Sequence, residues 1–102
     1  MAYALPLRFT WDEAKNLLNQ EKHGVSFEEA SALFTSGVDY LELFDDAHSS
    51  DEDRFIAIGP IGRGVVLVVW TEQNEDGVRI IGARMATKRE REHFLAHKQD
   101  EQ

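Results

Sequence analysis

Residues 78–91, reading VRIIGARMATKRER, gather Arg79, Arg84, Lys88, Arg89 and Arg91, five of the eleven basic residues in a chain of formal net charge −8. Guanidinium groups stay charged and grip phosphate or carboxylate oxygens two at a time, so this concentration marks an anion site. The first half of the stretch alternates like a strand. Thr87 followed three residues later by Glu90 forms a capping box that opens a helix. A strand delivering Arg84 to the mouth of a basic helix outlines a site for a phosphate or an acidic partner, against the plainer reading of a surface arginine paired with the acidic loop. Arg84 is the first candidate for a catalytic cation, and Lys88 and Arg91 for substrate contacts. In a regular strand Arg79 and Arg84 face opposite ways. Only a bulge, for instance at Gly82, would bring them together, so Arg79 is expected to face away.

Other residues compete for roles in that chemistry. Arg54 and Arg63 flank residues 55–61 at opposite ends and cannot easily both reach one phosphate. Arg54 is the second catalytic candidate and Arg63 a substrate contact, against the plainer reading of edge and turn charges. His23, with an ordinary pKa of about 6.5, suits proton transfer near neutrality, although a histidine there often caps helix carbonyls. His48 falls in an acidic loop. His93 and His97 lie one helical turn apart without an evident third ligand, so exposed helix polarity outweighs a metal site, and no metal or cofactor is expected. Trp70 could stack on a base, yet it ends an apolar run and suits a core equally well.

The elements that must position these residues can be read from periodicity and punctuation. Residues 5–11 suit a short strand, and Thr10 with Glu13 reads as a capping box, stapled by Phe9 and Ala14, for a helix running to about His23. Its apolar stripe is Trp11, Ala14, Leu17, Leu18 and Glu21, with Asn16 and Asn19 opening the polar face. Gly24 is the expected left-handed stop. Ser26 and Glu29 open a second helix with Phe27, Ala30, Leu33 and Phe34 on one face, ending before Gly37.

Strands are expected at residues 38–44, 55–61, 65–71 and 78–83. The last three are joined by hairpins at Gly62-Arg63-Gly64 and at Asn74-Glu75-Asp76-Gly77, where Asp-Gly is the turn signal. Residues 45–53 form a polar loop. The order β-α-α-β-β-β-β-α describes an α+β chain: a twisted antiparallel sheet, a helical hairpin on one face and a last helix near an edge.

Composition bounds the function. At 102 residues the chain suits one domain, residues 1–102, with its core at about 5–98 and a frayed end at 99–102. With 42% hydrophobic and 29% charged residues it resembles an ordinary soluble globular protein, and its longest apolar run, residues 65–70, is far too short to cross a bilayer. The N-terminus lacks a secretory pattern and there is no cysteine, so a cytoplasmic protein is expected. A net charge of −8 argues against a general nucleic-acid binder and requires any phosphate affinity to be local. The acidic groups Asp45, Asp46, Asp51, Glu52, Asp53 and Glu72, Glu75, Asp76 read as solvated loops or as docking points for a basic partner.

Several of these pieces together resemble one family. They are FTWDEAKN from Phe9, KHGVSFEEA from Lys22, His48-Ser with Asp51-Glu52-Asp53-Arg54-Phe55, Gly59 with Gly62-Arg63, Val69 with Thr71-Glu72, and Ile80-Ile81 with Ala83-Arg84, Ala86-Thr87-Lys88-Arg89-Glu90-Arg91. In this order, over about residues 9–94, they resemble the BrnT toxins of bacterial type II toxin–antitoxin systems, which are similar to RelE-type ribonuclease toxins. The resemblance implies a RelE-like fold and metal-independent endonucleolytic RNA cleavage that inhibits translation. It also implies neutralisation by a BrnA-like ribbon-helix-helix antitoxin, with no direct DNA binding without that partner. Three positions depart from the pattern: Met85 where a basic residue is expected, Phe94 where tyrosine is common, and Pro60-Ile61 in place of a more polar sequence. With the net charge, these keep open an alternative, a catalytically weak homologue that serves as a binding module for its antitoxin.

Overall fold

The computed structural model describes residues 7–50 and 52–100. The elements are β1 (Arg8–Thr10), α1 (Glu13–His23), α2 (Phe27–Thr35), β2 (Leu41–Phe44), β3 (Phe55–Ile61), β4 (Gly64–Gln73), β5 (Gly77–Met85) and α3 (Lys88–Asp100), with a 3-10 turn at Asp46–His48 in the acidic loop. This is the expected α+β order. The strands lie side by side as β1-β5-β4-β3-β2. β2 to β5 pair antiparallel, as the two hairpins require for β3, β4 and β5. β1 joins β5 in parallel, an edge that hairpin reasoning does not address because no hairpin links the two. Leu5 and Pro6 of the expected first strand, and residues 101–102 of the expected frayed end, lie outside the described residues.

Two of the three capping boxes form. Ser26 Oγ accepts from the Glu29 amide at 2.9 Å. Thr87 and Glu90 cap each other reciprocally, at 3.2 and 2.8 Å. The Thr10–Glu13 box does not form. Thr10 ends β1, its hydroxyl donates to Gln73 Oε1 at 2.6 Å, and Asp12 caps α1 by accepting from the Lys15 amide. Glu13 instead accepts from Trp11 and Asn16. Gly24 stops α1 at φ 72, as expected. In the second hairpin the left-handed residue is Asn74, at φ 64, and not the glycine of Asp-Gly. Gly77 is needed there for room, since a Cβ would collide with the Gln73 carbonyl oxygen.

The sheet is covered on both faces. Alternation sends Val66, Val68 and Trp70 of β4 towards α1 and α2, where they meet Val25, Phe27, Ala30, Leu33, Val78, Ile80 and Ala83. Leu67 points the other way and packs with Ile58, Ala86 and Phe94 beneath α3, with Ile56, Val65 and Val69 partly buried around them. Gly59 permits the approach of the α2 layer, because a Cβ there would sit 2.7 Å from both Leu33 Cδ1 and Tyr40 Cβ.

Helix α1 is oriented opposite to expectation. Leu17 and Leu18 are 57% and 64% exposed, whereas Asn16 is fully buried. Asn16 Oδ1 accepts from the Phe27 amide at 2.8 Å, and its Nδ2 donates to Glu28 at 2.8 Å. Asn19 Nδ2 donates to the carbonyls of Val25 and Ala83, both at 2.8 Å. β1 stops at Thr10, opposite Arg79, so the outer edge of β5 beyond that point has no strand beside it. The amide of Asn19 supplies the hydrogen bonding that a strand would otherwise give.

Candidate functional site

Two candidate arginines lie on the sheet face that carries α3. A bulge lies where Val69 pairs with Gly82 and Trp70 pairs with Ile80, leaving Ile81 without a partner on β4. This extra residue shifts the alternation by one. Arg84, opposite Leu67, and Arg79, opposite Thr71, therefore share a face, and the expectation that Arg79 faces away is corrected.

Arg84 is held tightly. Its Nη1 and Nη2 donate to the two carboxylate oxygens of Glu90 at 2.8 and 2.9 Å. Glu90 also accepts from the Thr87 amide, so one carboxylate both caps α3 and fixes the guanidinium. The Arg84 hydrogen bonds, ahead of the cap, lower the Glu90 pKa to about 2. Arg91 Nη1 donates to the Ala86 carbonyl at 3.0 Å, while Lys88 and Arg89 are exposed in the first turn. Arg84, Lys88 and Arg91 thus gather at the start of α3.

At the other end of this face lies a second cationic group. Arg54 immediately precedes β3, with Glu52 Oε2 3.6 Å from its Nε. That Nε is buried and has no hydrogen-bond partner among the described residues. Arg79 Nη1 contacts Thr10 Oγ1 at 3.4 Å, and Thr10 in turn donates to Gln73. Arg79 was absent from the expected contacts; Gly82, a glycine inside a strand, was the only sequence signal for the bulge.

The remaining sites fall elsewhere. His23 ends α1 on the opposite side of the sheet, beside a shallow cavity of about 230 Å³ lined by Lys15, Leu18, Asn19, Lys22 and Ile81, and cannot join Arg84 at one phosphate. Trp70 is 3% exposed and packs against Phe34 and Phe55, so its face is not free for a base. Arg63 stands at the β3–β4 turn, donating to both Glu29 oxygens at 2.7 and 2.8 Å and to the Gly24 carbonyl at 2.6 Å. It ties that turn to the helical hairpin. Its partner holds the Glu29 carboxylate below the usual range. His97 lies 3.8 Å from Asp39. Among the described residues no three potential ligands cluster for a metal ion, and no helix is long and apolar enough to cross a membrane.

The three departures have structural explanations. Met85 pairs with Val66 and packs towards α1 and α2, on the far side of the sheet from Arg84. Phe94 is 3% exposed in the core beneath α3. Pro60 lies beyond the pairing of β2, which stops at Ile58, in an edge position where a missing N–H is tolerated. None removes a group from the open face.

A helical hairpin, a five-stranded sheet and a terminal helix with arginines beside it on one sheet face define a small α+β protein. The family model that matches, over residues 11–90, is described as the ribonuclease toxin BrnT of type II toxin–antitoxin systems, and the chain belongs to this family. A ribonuclease function and an antitoxin partner follow from that membership. A crystal structure of the Brucella abortus ribonuclease toxin BrnT shares the fold, with a TM-score of 0.61 and 24% identity over 81% of this chain and 100% of that one. No curated protein matches the sequence.

Proposed function

We propose that this chain is a metal-independent endoribonuclease that inhibits translation and is neutralised in the cytoplasm by a BrnA-like ribbon-helix-helix antitoxin. The observation that carries the reading is Arg84, fixed by Glu90 beside the exposed first turn of α3. In cleavage without a metal the ribose 2′-hydroxyl loses its proton and its oxygen attacks the adjacent phosphorus. The P–O5′ bond breaks, and the 5′-oxygen leaves as a hydroxyl after taking up a proton, giving a 2′,3′-cyclic phosphate. The added charge on the phosphoryl oxygens needs a preorganised cation. A guanidinium already held in place supplies that stabilisation without reorganising during the reaction. Glu90 is a positioning residue: with a pKa of about 2 it is too weak a base to take a proton near neutrality. Lys88 and Arg91 lie close enough in sequence and space to guide the RNA backbone towards Arg84.

The test is RNA cleavage by purified protein in EDTA, with product ends analysed for cyclic phosphate. Arg84→Ala should lower the rate by about 100- to 1000-fold, the usual effect of losing one preorganised donor. Abolition of activity by EDTA, or full activity in Arg84→Ala, would overturn the mechanism. The saturation of Arg84 by Glu90 favours one second reading, an antitoxin-binding module that does not cleave. Tight association with the antitoxin and no cleavage from well-folded protein selects it.

A further inference from the structure

We propose that Arg54 and Arg79, at the end of the sheet face remote from α3, hold a backbone phosphate of single-stranded RNA. This rests on the ribonuclease reading for the identity of the ligand; it makes Arg54, a catalytic candidate by sequence, a substrate contact, and adds Arg79, which strand alternation had turned away. Thr71, Arg79 and Thr10 form one row across β4, β5 and β1, and Arg54 leads into β3 just before Phe55, whose partner on β4 is Trp70, the neighbour of Thr71. Adjacent strands are about 4.8 Å apart, which puts the Arg54 and Arg79 backbones about 10 Å from each other, within reach of one phosphate by two long side chains.

Their surroundings differ from those of Arg63 and Arg84. Arg63 and Arg84 each have both nitrogens of the fork occupied by a carboxylate. Among the described residues Arg79 has no carboxylate at ion-pair distance, and its one recorded contact, 3.4 Å to Thr10, steadies one nitrogen while leaving other donors unused. Arg54 is ion-paired with the exposed Glu52 at 3.6 Å, too long for a hydrogen bond, so its buried Nε has none. With Nε covered, the 34% exposure of the side chain falls on its other atoms, and the outer guanidinium donors, which bond to none of the described residues, are the ones an anion oxygen can meet. The surface between this pair and Arg84 is also open. Gly82 faces that side opposite Val69, and a Cβ built on it meets nothing within 4 Å. A chain bound by Arg54 and Arg79 can therefore cross the partly buried surfaces of Ile56 and Val69 to reach Arg84.

The test measures binding of a fluorescent, non-cleavable 2′-O-methyl RNA octamer by anisotropy, alongside cleavage of the same sequence as ordinary RNA. Arg54→Gln and Arg79→Gln should each weaken binding about tenfold or more, the scale of one charge-assisted hydrogen bond. In cleavage they should raise KM with little change in kcat. Gly82→Leu, whose side chain enters open space at an ordinary backbone conformation, should block the path and weaken binding with thermal stability kept. Lys22→Gln, on the opposite side of the sheet, should bind as the unaltered protein does. Unchanged binding in the two arginine variants and Gly82→Leu overturns the site, and continued cleavage in that case leaves the ribonuclease reading standing. Equal weakening by Lys22→Gln, or no octamer binding at all, also overturns it. Binding lost in the row variants from a protein that never cleaves supports the site and refutes the ribonuclease reading.

Discussion

Two arginines of this chain are ties, and the carboxylates they engage record it. Arg63 joins the β3–β4 turn to Glu29 and the Gly24 carbonyl; Arg84 joins the end of β5 to the cap of α3. The second tie has a pH signature. The carboxyl of Glu90 titrates at about 2 in the folded chain, against 4.5 ordinarily. A depressed carboxylate pKa contributes stability that is complete above about pH 4.5 and lost as pH falls through the folded value near 2. Arg84 is 38% exposed, so solvent screening reduces the contribution well below what the bare shift would give, to about 1–2 kcal/mol. Urea unfolding should show Glu90→Gln less stable than the unaltered protein by that amount at pH 7, with the gap closing between pH 4.5 and 2. Glutamine keeps an acceptor for the Thr87 amide, so a gap that persists unchanged at pH 2 would trace the effect to something other than the charged pair.

Among the elements, α1 is the one whose placement overturns its pattern. Periodicity tells which side chains share a helix face, and it located α1, its left-handed stop and its leucines. It does not tell what the face meets. The inward placement of Asn16 and Asn19 is dictated by otherwise unpaired backbone at Phe27 and at Ala83 on β5, partners that helix periodicity does not reveal. Removing the Asn16 side chain leaves the Phe27 amide buried without a partner, so Asn16→Ala should cost about 1–3 kcal/mol. Leu17→Ser and Leu18→Ser, at exposed positions, should each change stability by less than about 0.5 kcal/mol. Thermal unfolding of the three variants checks the order; the reverse order would mean that the leucines face the core in solution. Where local chemistry decides, the sequence was legible: Ser26 and Thr87 cap their helices, and the short turns set antiparallel pairing for β3, β4 and β5. The arginine site divides in the same way. Arg84 was legible as a strand end before a capped helix, whereas Arg79 depends on the unpaired Ile81, and one extra residue in a ladder leaves alternation in the sequence undisturbed.

For the whole molecule, charge and size set how RNA can approach. The net charge is −8, and the principal extents are 37 × 33 × 28 Å. At about 0.01 M salt the screening length is roughly 30 Å, so an approaching polyanion meets the field of the entire acidic chain. At about 0.15 M the length falls to roughly 8 Å, and the RNA senses only the nearby surface, where Arg54, Arg79, Arg84 and Lys88 stand. Association should therefore speed up as salt rises from about 10 mM towards 100 mM, the opposite of steering by a basic protein. Above that range equilibrium affinity should fall gently, because few phosphates are contacted. With about three neutralised, log Kd should vary with log salt with a slope near 2, and Arg79→Gln should reduce that slope by about 0.7. Stopped-flow association of the 2′-O-methyl octamer over this range separates the two regimes. An association rate that falls steeply from the lowest salt would mean that the cations govern the long-range field despite the net charge, and that the arginine face acts as a broad basic surface, not as a local site.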